Sequence, residues 1–275
     1  MQSSLRIVPI RGESLVPAAH APHLSYHQGH LLTAVEVYTI FWGTGWLQDP
    51  QSGLIQDLNN FFDFILTSPL MDLLGEYSVA GQQIGHGRRV GTKPIITSEP
   101  GTVQHDGRMI VTDSEIRTAL KGLISHSTVI QPGSNTLYFI YLPPNVVSQD
   151  EGGSSCTPGG YCGYHDAIDN RIFYCVVPYL PCPGCQSGQN QPLDTLTEVS
   201  SHELCEAITD PDPFTGWNDL KSGEIGDICN FEAAQLGGYN VQKQWSNAAG
   251  ECLTSPASDR WLEPILAVMM ATRTV

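Results

Sequence analysis

The sequence predicts a three-layer α/β domain organised around one helix that carries metal-binding chemistry. Three observations predict it. Strand-like and helix-like segments alternate along the chain, 41% of the 275 residues are hydrophobic against 15% charged, and no linker or internal repeat divides the whole. α/β folds of this length often remain undivided, so residues 1–275 are expected to form a single domain. Within it, 1–32 reads as an irregular N-terminal segment, 33–150 as an N-terminal α/β part, and 151–275 as a disulfide-rich part that holds the metal helix.

Each element has its own signal. His20, His23, His27 and His30 fall among Pro17, Pro22 and Gly29, which spoils any helical spacing and reads as a loop, not a metal tract. Thr33–Trp42 is rich in β-branched and aromatic residues and stops at Gly43, the pattern of a strand. Leu54, Ile55, Leu58, Phe61, Phe62, Ile65 and Leu66 follow the helical period, and Ser68-Pro69 restarts a helix that runs to about Tyr77. Gly81–Gly91 lacks both the spacing and the strand-to-helix setting of a nucleotide cradle, so it reads as a glycine-rich loop before a short strand at Lys93–Thr97. Thr112 and Glu115 form a capping box for a helix whose buried stripe is Ile116, Leu120, Leu123 and Ile124. Asn135–Leu142 reads as a buried strand closed by Pro143-Pro144. Gln149–Asp169 reads as a long polar, glycine-rich excursion, Arg171–Pro178 and Tyr239–Trp245 as strands, and Trp261–Thr272 as a terminal helix in which Met269-Met270 serves packing.

The chemistry concentrates in Thr197–Pro211. Thr195 and Glu198 have capping-box spacing, Leu196 and Val199 begin an apolar period, and Pro211 ends the helix. At about 100° per residue, Thr195, Val199, His202, Glu203 and Glu206 share one side, while Leu204, Cys205 and Ile208 lie opposite. The expected helix is therefore apolar on its back and chemical on its front. His202 and Glu206 stand one turn apart with the spacing of two metal ligands, and Glu203 has the position of a general base. Carboxylate oxygen is an acceptable zinc ligand, so H-E-x-x-E can do what H-E-x-x-H does. Glu224 lies 18 residues after Glu206, enough chain to return a third ligand; Asp227, three positions on, can accept a hydrogen bond from the free ring nitrogen of His202. The two roles can also be exchanged. The expected metal set is thus His202, Glu206, Glu224 and Asp227 around one Zn²⁺, with Glu203 catalytic.

Composition excludes several partners. A formal net charge of −15 repels nucleic acid and anionic membrane, and no run of apolar residues is long enough to span a bilayer. All eight cysteines follow residue 155, in Gly- and Pro-rich surroundings, which reads as a disulfide framework and hence an exported, extracellular protein. Cys182–Cys185, Cys156–Cys162 and Cys229–Cys252 are the expected pairs, leaving Cys175 and Cys205 to pair or remain buried thiols. Met1–Gly12 contains no apolar h-region, so the export route is not read from this chain. A monomer is expected.

The helix motif His202-Glu203-Leu204-Cys205-Glu206 resembles that of the zincin metallopeptidases. Over most of the chain, Leu24-Ser25-Tyr26-His27-Gln28-Gly29, Phe41-Trp42-Gly43, Cys162-Gly163-Tyr164-His165 and Cys182-Pro183-Gly184-Cys185 resemble the plant phosphate-induced, or EXORDIUM-like, secreted proteins, which generally lack the metal helix. The resemblance implies a zincin-like three-layer α/β/α domain with a mixed twisted sheet and an active-site helix. It places Arg171–Pro178 beside a cleft, where an extended peptide or protein substrate adds as a strand. It implies a zinc-dependent endopeptidase in which Glu203 takes a proton from water, with His165 and Tyr239 as oxyanion donors of lesser weight. The alternative is a non-catalytic extracellular protein that keeps the scaffold to bind cell-wall or carbohydrate partners. One histidine and two carboxylates neutralise Zn²⁺, which weakens its polarising power relative to a two-histidine site.

Overall fold

A computed structural model describes residues 6–9, 21–104, 107–150, 153–157, 160–179, 185 and 191–257. At its centre is a six-stranded mixed sheet of β1 (Arg6–Pro9), β2 (Glu36–Trp42), β3 (Arg88–Ile95), β4 (Thr136–Tyr141), β5 (Tyr161–Ile168) and β6 (Ile172–Val177). The spatial order is β1-β5-β6-β4-β2-β3. β6, β4, β2 and β3 run parallel, and β5 is antiparallel to both β6 and β1. The helices are α1 (Gln51–Ile65), α2 (Pro69–Leu74), α3 (Asp113–Ser125) and α4 (Pro192–Thr209).

The alternation of side chains along the strands builds two cores. On one face Val37, Phe41, Phe139, Cys175 and Val177 pack against Phe62 and Ile65 of α1 and Leu204 and Ile208 of α4. On the other, Tyr38, Ile40, Tyr138, Ile140 and Val176 meet Ile116, Leu120 and Ile124 of α3. Helices thus cover both faces, which is why the β4 sequence Thr-Leu-Tyr-Phe-Ile-Tyr is buried at every position. The Thr112 capping box forms as its spacing predicts: Thr112 Oγ1 accepts from Glu115 N at 3.2 Å, and Glu115 Oε2 accepts from Thr112 N at 2.7 Å.

Several expectations are corrected. The polar excursion Gln149–Asp169 contains β5, buried throughout and paired on both sides; Gly163, His165 and Asp166 interrupt its apolar run and disguise it as loop. Arg171–Pro178 does not flank an open cleft. Its strand β6 lies between β4 and β5, so its backbone groups are already bonded and no peptide can add to it. Beyond β5 the edge is taken by β1, with Arg6 opposite His165. Tyr239–Trp245 is two strands, Tyr239–Gln242 and Gln244–Ser246, each in its own hairpin. His23, His27 and His30 stand outside any helix, as expected, whereas His20 and the terminal helix Trp261–Thr272 lie outside the described residues.

The cysteines also re-pair. Cys229–Cys252 forms as expected, but Cys185 bonds Cys162 of β5, tying the segment before α4 to the sheet instead of closing either short loop. Cys156 is disulfide-bonded too, and Cys182 lies outside the described residues. Cys175 and Cys205 are buried free thiols. The disulfides are consistent with an oxidising, extracellular setting. Among the described residues no helix is long and apolar enough to cross a membrane.

Candidate metal centre

α4 begins three residues earlier than Thr195. Pro192 occupies its first turn, where the missing N–H costs nothing, and Gln191 precedes it without a side-chain cap. Glu198, released from the expected capping box, instead accepts from Asn240 Nδ2 at 2.7 Å. The helix has no exposed front: every residue from Thr195 to Thr209 is buried. Its polar side is roofed by Tyr239–Gln242, through Thr197 Oγ1 donating to Asn240 O at 2.8 Å and Gln242 N donating to Ser201 Oγ at 2.9 Å. Tyr141 and Ser200 hydroxyls meet at 2.7 Å beneath it. An ordinary surface helix with solvated glutamates is thereby excluded.

Two glycines let the neighbouring chain approach the motif. A Cβ on Gly163 of β5 would stand 2.7 Å from Val199 Cγ1 and 3.0 Å from Glu203 Oε1. One on Gly226 would stand 2.7 Å from His202 Nδ1 and 2.9 Å from Glu206 Oε1. Through these approaches β5 brings His165 to Glu203, and the Gly223–Cys229 segment brings Asp227 beside Glu206 and Glu224 beside His165.

His165, His202, Glu203, Glu206 and Glu224 are all fully buried. Two overlapping triads have ligand-capable atoms within 4.8 Å of one another: His165, Glu203 and Glu206, and His202, Glu206 and Asp227. His165 Nδ1 lies 3.2 Å from Glu203 Oε2 and 3.7 Å from Glu206 Oε2, while its Nε2 lies 3.2 Å from Asp210 O and 3.7 Å from Glu224 Oε1. His202 Nε2 lies 2.9 Å from Glu206 Oε1 and 3.9 Å from Asp227 Oδ1. Glu206 Oε1 also accepts from Asp227 N at 3.0 Å. Glu203 Oε1 is buried without a hydrogen-bond partner. Of the expected set, His202, Glu206 and Asp227 therefore converge, and Glu224 joins through His165. The place expected for Asp227 or Glu224 at the free nitrogen of His202 belongs to Gln242, whose Nε2 is 2.7 Å from Nδ1. Tyr239 turns away to the rings of Phe61 and Phe64.

Packing so many carboxylates together in the buried interior disfavours their charge. Burial raises the Glu203 pKa, against the lowering effect of His165 and His202. Burial alone would lower His202, but Glu206, then Glu203 and Asp227, outweigh it and push it up to about 10. His165 moves upward likewise, the effect of burial being exceeded by Glu203, Glu206 and Asp210. The cluster thus draws positive charge, as protons or as a cation. The buried His165/Glu203/Glu206 group can hold a metal ion: it offers nitrogen and oxygen donors, a partnerless carboxylate oxygen, and an outer contact to a ring N–H.

His165 is the residue that motif reading undervalued. Tyr161, Tyr164 and Ile168 carry a strand-like signal around it, and that signal would have placed it on the sheet. No protein-family model matches this chain and no curated protein matches it.

Proposed function

We propose that this chain is a secreted, divalent-metal-dependent hydrolase of the zincin type, acting on peptide bonds, with Zn²⁺ as its ion. The observation that carries the reading is the convergence of two histidines and the carboxylates of H202-E-x-x-E206 in one buried cluster, with Glu203 Oε1 left without a hydrogen-bond partner. Glu206 belongs to both triads and is the ligand common to either placement of the ion. A divalent ion held there supplies Lewis acidity towards a carbonyl oxygen and a water molecule. Glu203 would take the proton of that water on Oε1, while its Oε2 faces His165 Nδ1.

One observation favours the second reading, a non-catalytic protein that keeps the scaffold for binding cell-wall or carbohydrate partners. The cluster is closed to solvent, and the outer edge of β5 already carries β1. Turnover separates the two. Zinc-loaded wild-type chain should cleave an unfolded protein, and Glu203→Gln should lose on the order of 10²–10⁴ in rate while its zinc content is unchanged. Zinc-loaded wild type that cleaves no peptide or unfolded protein leaves the binding reading in place.

A further inference from the structure

We infer that the two histidines divide the work in the reverse of what the helix motif suggests: His165 of β5 is the ligand, through Nδ1, and His202 is a positioning residue that holds Glu206. The inference rests on the cation-binding half of the proposed function and requires no turnover.

The hydrogen-bond partners of each ring decide the assignment once a bound cation has displaced the extra protons, because a neutral imidazole has one N–H and one lone pair. His165 Nε2 lies 3.2 Å from the backbone oxygen of Asp210, an atom that can only accept, so Nε2 carries the hydrogen. Its lone pair is then on Nδ1, facing Glu203 Oε2 at 3.2 Å and Glu206 Oε2 at 3.7 Å. Three lone-pair atoms grouped so closely need a proton or, in the loaded protein, a cation among them. A ligand imidazole whose other nitrogen donates to a backbone carbonyl is the arrangement that fixes tautomer and ring orientation at metal sites.

His202 has the opposite surroundings. The Gln242 side-chain amide has its nitrogen 2.7 Å from Gly226 O, which only accepts, so that nitrogen is the NH₂ group. Its second N–H points to His202 Nδ1, also at 2.7 Å, and Nδ1 must accept. The ring hydrogen is therefore on Nε2, where it leaves no lone pair for an ion. From there it lies 2.9 Å from Glu206 Oε1, in a contact bent away from ideal hydrogen-bond alignment. Asp227 N donates to the same oxygen. With Oε1 engaged by N–H groups from His202 and Asp227, Glu206 presents Oε2 to the His165 side. The two triads are then one ion site and one support that share a carboxylate.

The test is nitrogen NMR on the full-length ¹⁵N-labelled chain, loaded with ¹¹³Cd²⁺ as the probe and compared with the Zn²⁺ form. Long-range proton–nitrogen correlations identify the bare, protonated and metal-bound nitrogen of each ring, and His165→Asn and His202→Asn assign the two signal sets. If one variant does not fold, the other suffices. The expected result is cadmium coupling at Nδ1 of His165, hydrogen on its Nε2, and an uncoupled His202 with hydrogen on Nε2. His202→Asn should then weaken Cd²⁺ binding by about 10–100-fold, the range for an outer-shell partner, and keep the His165 coupling. Cadmium coupling at His202 Nε2, with or without coupling at His165, overturns the inference, as does the absence of coupling at both rings. Failure of hydrolysis alone leaves it standing.

Discussion

α3 and α4 are both helices packed on the same sheet, yet they differ in almost everything that decides what a helix is for. α3 has a complete capping box, buries only its Ile116, Leu120 and Ile124 stripe, and leaves polar residues in solvent. α4 has no side-chain cap and is buried on every side, with His202, Glu203 and Glu206 inside. An amphipathic helix gains stability by local rules and apolar burial. A helix that takes ionisable groups out of water needs partners for each of them. The contrast teaches that α4 keeps ionisable residues out of water at a cost to stability that α3 does not bear.

The comparison breaks most visibly at Glu206. Glu206→Ala strips both buried histidines of a shared carboxylate and should cost about 3–5 kcal/mol in urea unfolding, together with loss of zinc binding by calorimetry. A cost below about 1 kcal/mol would mean that the α4 cluster is no more demanding than the exposed side of α3. Replacing Cys229 and Cys252 by serine, which frees the segment bearing Glu224 and Asp227, should cost about 3 kcal/mol and weaken zinc binding; unchanged affinity would show that the ligand loop is held without the bridge.

A further outcome sharpens the electrostatic side. In the cation-free protein His202 is raised to about 10 by Glu206 against the lowering effect of burial, and His165 and Glu203 are raised as well. Groups raised in the folded state bind protons more tightly there than in the unfolded chain. The stabilising contribution of the two histidines is full below their unfolded value of about 6.5, that of Glu203 only below the unfolded carboxylate value of about 4.3, and each is lost as pH rises through the folded value. Zinc replaces those protons, so the melting-temperature gain on adding Zn²⁺ should be greater at about pH 8 than at about pH 6. Equal or reversed gains would count against cation binding in the cluster. The smallest effect belongs to α3: Thr112→Ala removes its cap and should cost about 1 kcal/mol, with zinc binding untouched.

Much of this was legible in the residues. Apolar periods placed α1, α3, β2 and β4, because each has a buried stripe or a buried run that composition exposes. H-E-x-x-E marked α4 and its local geometry follows from helical spacing alone. What escaped were facts created by distant pairing. β5 carries Gly163 and His165 because it approaches α4 closely, and Asp166 because its carboxylate meets Arg117 of α3; those residues hide a strand from period counting. Gln242, which orients His202, sits in a hairpin with no motif of its own. The pairing of Cys162 with Cys185 depends on a fold that brings a strand to a loop, which spacing cannot reveal.

The pairing of Arg6 with His165 has a consequence for the order in which the molecule is made. The two residues are 159 positions apart (165 − 6), and among the described residues β5 is the strand that β1 joins in the sheet. During synthesis the parallel trio β2, β3 and β4 is complete once Tyr141 has emerged, whereas β1, made before all three, must wait for Tyr161–Ile168 before it has an edge to join. So long a closure slows folding more than it weakens the product. A strand made before the parallel trio thus finds its place after it, beside the strand that bears His165.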